Sequence, residues 1–111
     1  MALGAIRTMV ARANFNAGSK LHRKALAVVA PIIAAWDPYG LLEGGAPADE
    51  FDSEISAVAS QVSRIKSAND AAHVVSRVFS SSFEPAPFTP QLCVAVGNQL
   101  FSALEAAGLV T

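Results

Sequence analysis

Apolar residues in this chain recur at spacings of three and four, and no segment alternates apolar and polar residues long enough to read as a strand. That pattern leaves helices packing on helices as the way to bury the apolar surface. From Ser19, a candidate N-cap, the residues Leu21, Ala25, Leu26, Val28, Val29, Ile32, Ile33 and Trp36 cover more than one face. This predicts a largely buried helix, kinked between Ala27 and Pro31 by the missing proline donor. Asp37 precedes Pro38, which disfavours the helical region and ends the segment. Phe51, Ile55, Val58, Ala59, Val62 and Ile65 form a second stripe running to Lys66. Ser67-Ala68-Asn69-Asp70 resembles a capping box with Asp for Glu and opens a third helix on Ala71, Val74, Val75, Val78 and Phe79, fading at Ser80–Ser82. Prolines 85 and 87 predict an extended linker over 83–88. Thr89-Pro90 pairs an N-cap with proline at the first helical position. Cys93, Val96, Gly97, Leu100, Phe101 and Leu104 then form the last stripe, stopped by Gly108.

The expected fold is therefore all-α: a small bundle of four main helices in one helical domain, residues 19–111, preceded by a short N-terminal helical arm, residues 1–18. In the arm, Ile6, Met9, Val10 and Ala13 lie at helical spacing before Asn14-Phe15-Asn16-Ala17-Gly18 breaks the pattern. The expected core is Leu26, Val29, Ile33, Trp36, Phe51, Ile55, Val58, Val62, Val75, Phe79, Val96, Leu100 and Leu104.

Charge narrows the function classes. Charged residues are 15% of the 111 residues, against about 25% in an ordinary domain, so some apolar surface is expected to meet a partner or a second copy. The net charge of −1 conceals a division. Residues 1–36 carry Arg7, Arg12, Lys20, Arg23 and Lys24 with no acid, while all nine acids follow Trp36. Five dispersed bases do not make the dense basic face of a nucleic-acid binder. They suit a basic helix lying near the acidic stretch. The longest apolar run, Ala25 to Trp36, is interrupted by Pro31 and falls short of the roughly 18 residues of a membrane span. A single Cys93 excludes an intramolecular disulfide and suits a reducing, cytoplasmic setting. The first eighteen residues hold two Arg and no acid, a composition shared by mitochondrial presequences and frayed helical arms, and the arm is the expected reading.

One stretch stands apart from the helices. Residues Trp36 to Glu54 hold the only Trp, the only Tyr and six of the nine acids. Asp37-Pro38-Tyr39-Gly40 has turn chemistry: Asp bonds the backbone two residues on, Pro presets φ, and Gly accepts positive φ. Leu41-Leu42 is expected to drop back into the core before Gly44-Gly45-Ala46-Pro47. Asp49-Glu50-Phe51-Asp52 is expected to form the first turn of a helix, where the macrodipole favours acids. The pattern Trp36-Asp37-Pro38-Tyr39-Gly40, followed by Asp49-Glu50-Phe51-Asp52, resembles the signature of a small bacterial all-helical family, the YugE-like domain-of-unknown-function group. Phe51 stands where that family has Tyr, and the spacer here is rich in Gly. The resemblance spans roughly residues 20–80 and implies a compact helical fold with no established activity.

Three function classes remain open. The first is a non-enzymatic protein-interaction module of a bacterial cytosol, immunity- or antitoxin-like, using an acidic face built from Trp36, Asp37, Tyr39, Asp49, Glu50 and Asp52. The second is a metal-dependent or acid–base enzyme drawing on Asp37, Asp49, Asp52 and a histidine. The third is a homo-oligomeric structural protein. Asp49 with Asp52, and Glu50 with Glu54, would share helix faces, which suits a hard cation as readily as it suits dipole complementarity. The ordered loop of a calcium site is absent, so no metal or other cofactor is expected. His22 and His73 lack a partner at ligand spacing. Ser80-Ser81-Ser82 lacks a nucleophile elbow, and Cys93 sits on an apolar stripe where a thiol packs as a small hydrophobe. An enzyme requires a pocket shared by a carboxylate and a histidine; an interaction module requires an exposed acidic patch around Tyr39.

Overall fold

The computed structural model describes residues 15–110, and side-chain burial from residue 20 onward. Four α-helices are present among the described residues: α1, Phe15–Trp36; α2, Asp52–Ala59; α3, Ala68–Ser82; and α4, Val94–Ala106. Single 3-10 turns sit between them at Pro38–Gly40, Val62–Arg64 and Ala86–Phe88, and no described residue is in a strand. The fold is all-α, as the apolar spacing requires.

The helices form a four-sided arrangement. α1 packs on α2 and α4, α3 packs on the same two, and α1 and α3 lie diagonally. The most extensive packing joins α3 to α4. Gly97 explains the closeness: a methyl group placed there would come within 2.7 Å of the Ala72 backbone nitrogen and 2.8 Å of its Cα. Phe51, Phe79, Ile33, Leu100, Leu104, Val29, Val58, Val75 and Cys93 are fully buried between the four helices. Each large side chain so placed contributes about 1.5–3 kcal/mol relative to leaving it in water. Of the core expected from sequence, Leu26 and Trp36 are only half-buried, and the rest are buried.

Helix boundaries differ from the sequence reading in physically informative ways. α1 already includes Phe15 to Ser19, so Ser19 is an interior residue and not the N-cap; the rest of the expected arm, residues 1–14, lies outside the described residues. α1 runs through Pro31 to Trp36. Ala27 and Pro31 both lie on the exposed face of α1, where solvent is at hand for the carbonyl that proline's missing N–H leaves without its donor. The second stripe stops being α-helical at Ala59, and Val62 and Ile65 reach the core from a 3-10 turn and an extended residue instead. The expected extended linker contains the 3-10 turn Ala86–Phe88, which drives Phe88 into the core.

Capping chemistry follows the sequence more closely. Ser67 Oγ accepts the Asp70 N–H at 3.0 Å, and the Asp70 carboxylate accepts the Lys66 N–H at 2.9 Å. This is a capping box whose acid reaches one residue further back than usual. Thr89 Oγ1 accepts the Leu92 N–H at 3.3 Å, although regular α-helix begins only at Val94. At the other end Leu109 N–H donates to Leu104 O and Gly108 N–H to Glu105 O, with Gly108 at φ +77°. That pair of bonds is a Schellman motif, and its left-handed residue is the glycine.

Candidate functional site

The aromatic residues gather where α1 and α3 end. The Trp36 ring, from the last residue of α1, meets Phe79 edge-on with centroids 5.0 Å apart and Phe88 at 5.9 Å. Phe51, just before α2, lies 6.2 Å from Phe79 and 6.4 Å from Phe83, and Phe79 lies 5.5 Å from Phe88. Tyr39 closes the cluster from outside, its ring 5.6 Å from Phe83 and 5.7 Å from Phe88. Edge-to-face pairs of this kind contribute about 0.5–1.5 kcal/mol each beyond area burial. Ser76 and Ser80 hydroxyls both donate to the Phe88 carbonyl, which pins the incoming chain to α3.

Leaving α1 for this cluster requires an unusual backbone. Among the described residues, Asp37 and Tyr39 are the non-glycine residues with positive φ, at 47° and 63°, and Gly40 follows at 62°. A left-handed residue with a Cβ costs roughly 1–2 kcal/mol, and two in three residues must be held by their surroundings. Asp37 is held at both ends. Its N–H donates to Ile33 O at 2.9 Å, finishing α1 with an αL cap. Its carboxylate reaches forward, Oδ1 accepting the Leu42 N–H at 2.8 Å and Oδ2 the Glu43 N–H at 3.0 Å. The sequence reading expected this carboxylate to bond two residues on; it bonds five and six residues on and organises the whole turn through Gly45.

Tyr39 is 51% exposed. Its hydroxyl donates to the Glu84 carboxylate at 2.6 Å, across 45 residues of sequence. That hydrogen bond, with lesser help from desolvation and the carboxylate's charge, raises the Tyr39 pKa above its ordinary value of 10.0. Glu84 was invisible as a site residue from sequence, because its partner lies in a different connection and no local pattern links them.

Asp49 and Glu50 precede α2 instead of forming its first turn. They occupy tight turns in which Glu50 N–H donates to Pro47 O and Asp52 N–H to Asp49 O. Asp52 and Glu54 occupy the first turn of α2. Buried Phe51 anchors this strip while Asp49, Glu50 and Asp52 remain exposed. Of the six residues singled out in sequence, Tyr39, Asp49, Glu50 and Asp52 face solvent, whereas Trp36 is packed in the cluster and Asp37 is engaged by backbone.

The histidines do not join them. His22 lies near the start of α1 and His73 on the diagonal helix α3, its Nδ1 2.9 Å from Asn69 O. Among the described residues, no three of His, Cys, Asp or Glu converge as a metal-ligand set. An open groove of about 720 Å³ runs between α1 and α4, lined by Pro31, Ile32, Ala35, Asn98, Gln99, Ser102 and Ala103, none of which titrates. Cys93 is fully buried, and that burial pushes its thiol pKa upward. No described helix is long and apolar enough to cross a membrane.

Four α-helices among the described residues, with an exposed tyrosine turn set among acids, define an all-α domain. The chain belongs to the domain of unknown function family DUF1871, which it matches over residues 28–108. That span holds the end of α1 from Val28 to Trp36, the Asp37–Gly45 turn and the three remaining helices. Comparison with curated proteins and with solved structures gives no match.

Proposed function

We propose that this protein is a non-enzymatic interaction module whose acidic end, centred on Tyr39 and bordered by Asp49, Glu50 and Asp52, receives a basic protein partner. One observation carries the reading. Tyr39 stands half out of the surface on a turn held by Asp37, its hydroxyl tied to Glu84, within a region that lacks any Lys, Arg or His from residue 25 to residue 63. A rigid, amphipathic ring loses little entropy on binding, and an acid rim around it steers a basic surface toward it. Trp36 and Asp37 serve as the scaffold beneath. The size and charge suit an immunity- or antitoxin-like role against a basic nuclease or toxin. The enzyme reading draws less support, since the groove has no titratable wall and neither histidine falls within the acidic 36–54 stretch.

The test is titration with a lysine- and arginine-rich helical peptide free of Trp, read by Trp36 fluorescence in wild type and variants alike. Tyr39→Ser, which leaves net charge unchanged, is expected to weaken binding at least tenfold. Asp49→Asn/Asp52→Asn is expected to weaken it further and to flatten its salt dependence. Equal affinity for wild type and Tyr39→Ser would overturn a site centred on Tyr39.

A further inference from the structure

The cations are as strictly segregated as the acids. Every Lys, Arg and His falls within residues 7–24 or 64–77. Among the described residues, Lys20, Arg23 and Lys24 are exposed on α1, between 12 and 16 residues before Trp36, or about 18–24 Å along the axis at 1.5 Å per residue. Arg64 and Lys66 immediately precede α3, whose other end carries Phe79, Phe83 and Glu84. Because Trp36 meets Phe79, α1 and α3 finish at the same end of the bundle. Seven of the nine acids, namely Asp37, Glu43, Asp49, Glu50, Asp52, Glu54 and Glu84, lie at or next to the aromatic end. Along α1, Lys20, Arg23 and Lys24 therefore stand apart from the acids that follow Trp36.

From this separation we infer that the basic partner fitting the Tyr39 end is a second copy of this chain, presenting the exposed Lys20, Arg23 and Lys24 of its α1 in a head-to-tail contact. The inference rests on the interaction reading above and names its partner. Two observations carry it independently: an acid-rimmed exposed aromatic at one end, and an exposed cationic helix start at the other. An isologous contact through either end alone would set like charge against like, whereas a contact of the Tyr39 end of one copy with the α1 start of the next pairs opposite charges and, where it is heterologous, leaves both outer ends open for further copies.

The experiment uses the full-length protein in sedimentation equilibrium at low and physiological ionic strength, where the Debye length falls from about 30 Å at 0.01 M to about 8 Å at 0.15 M. Wild type is expected to show a mass rising with concentration at low salt and falling toward monomer as salt is added. Two charge-reversed variants, Asp49→Lys/Asp52→Lys and Lys20→Glu/Arg23→Glu/Lys24→Glu, alter only exposed side chains. Each alone is expected to stay monomeric, and the equimolar mixture is expected to associate again, with circular dichroism showing native helicity in both. A monomeric wild type at low salt, self-association that persists in high salt, or a mixture that stays monomeric would each overturn the inference. Should the wild type bind the basic peptide through Tyr39 yet fail to self-associate, the interaction reading stands and the second copy is eliminated as its partner.

Discussion

Gly97 lies so close to Ala72 that the two helices meet backbone to backbone: a Cβ at Gly97 would stand 2.7 Å from the Ala72 nitrogen and 2.9 Å from its Cβ. In an exposed helix, replacing Gly by Ala stabilises by about 0.5–1 kcal/mol. Here the sign is expected to reverse, because the obstructing atoms include a helix backbone that cannot swing aside. Gly97→Ala should destabilise by about 1–3 kcal/mol, the range for overpacking, seen as a lower urea midpoint at unchanged slope. A stabilised Gly97→Ala would show that α3 and α4 do not approach this closely.

Asp37 is expected to be the acid on which folding depends most. Its carboxylate satisfies two backbone N–H groups while its own φ is left-handed. Asp37→Ala loses both bonds and keeps the strain, for an expected cost of about 2–3 kcal/mol. Asp37→Asn retains one acceptor and tolerates the left-handed region, so it should cost less than Asp37→Ala. Denaturant midpoints of the two variants provide the comparison, and equal costs would count against the carboxylate bridge.

These two sites show how far the sequence could be read. Helix faces were legible: Val75, Phe79, Leu100 and Leu104 are buried where the three-four spacing puts them, because periodicity reports which face is apolar. Ser67 and Gly108 were legible because capping is decided within a few residues. Lengths were not. A stripe continues unchanged when α-helix gives way to a 3-10 turn, so Val62 kept its burial while α2 ended at Ala59. Contacts between distant segments left no local trace, which is why the Tyr39–Glu84 bond, the half-buried packing of Trp36 and the closeness of Gly97 to Ala72 emerged only from the fold. The acidic stretch was visible as composition, but its division into scaffold and surface depended on the direction each side chain took.

Tyr39 offers a pH signature that can be assigned without ambiguity, because it is the only tyrosine. Its pKa is raised in the folded protein, chiefly by the hydrogen bond to Glu84. A raised pKa means that the folded state holds the proton more tightly. The associated stability is complete below the unfolded value, near 10, and is lost as pH climbs from there through the folded value. Phenolate absorbance should titrate above 10, and Glu84→Gln should move the midpoint down. In Tyr39→Phe the alkaline loss of stability that belongs to this group should vanish. An unshifted midpoint in Glu84→Gln would place the cause elsewhere.

Asp49, Glu50 and Asp52 should behave oppositely to Asp37. They are exposed, and no described hydrogen bond uses their carboxylates. Neutralising Asp49 and Glu50 to amides is expected to change stability by no more than about 0.5 kcal/mol, as for ordinary surface positions. Asp52, in the first turn of α2, should add only the small helix-dipole loss of about 0.3–1 kcal/mol. Thermal melts of the single variants check both statements, and a large loss at Asp49 or Glu50 would show those acids to be part of the scaffold.

Cys93 reports from within the core on the start of α4. It is the only cysteine, is fully buried, and its thiol is held protonated by desolvation. Reaction with a thiol reagent needs a thiolate in contact with solvent, so labelling must wait for the Thr89–Val94 turn or the whole domain to open. If that opening costs about 5 kcal/mol, the lower end for small domains, labelling at neutral pH should run more than ~1,000-fold slower than for a free thiol. Gly97→Ala, which forces α4 away from Ala72 one turn further on, should then speed labelling in proportion to the stability it removes. Rapid labelling of the native wild type would mean that α4 detaches locally, and acceleration without a matching shift in the urea midpoint would locate the opening at the turn before α4 instead of in the bundle.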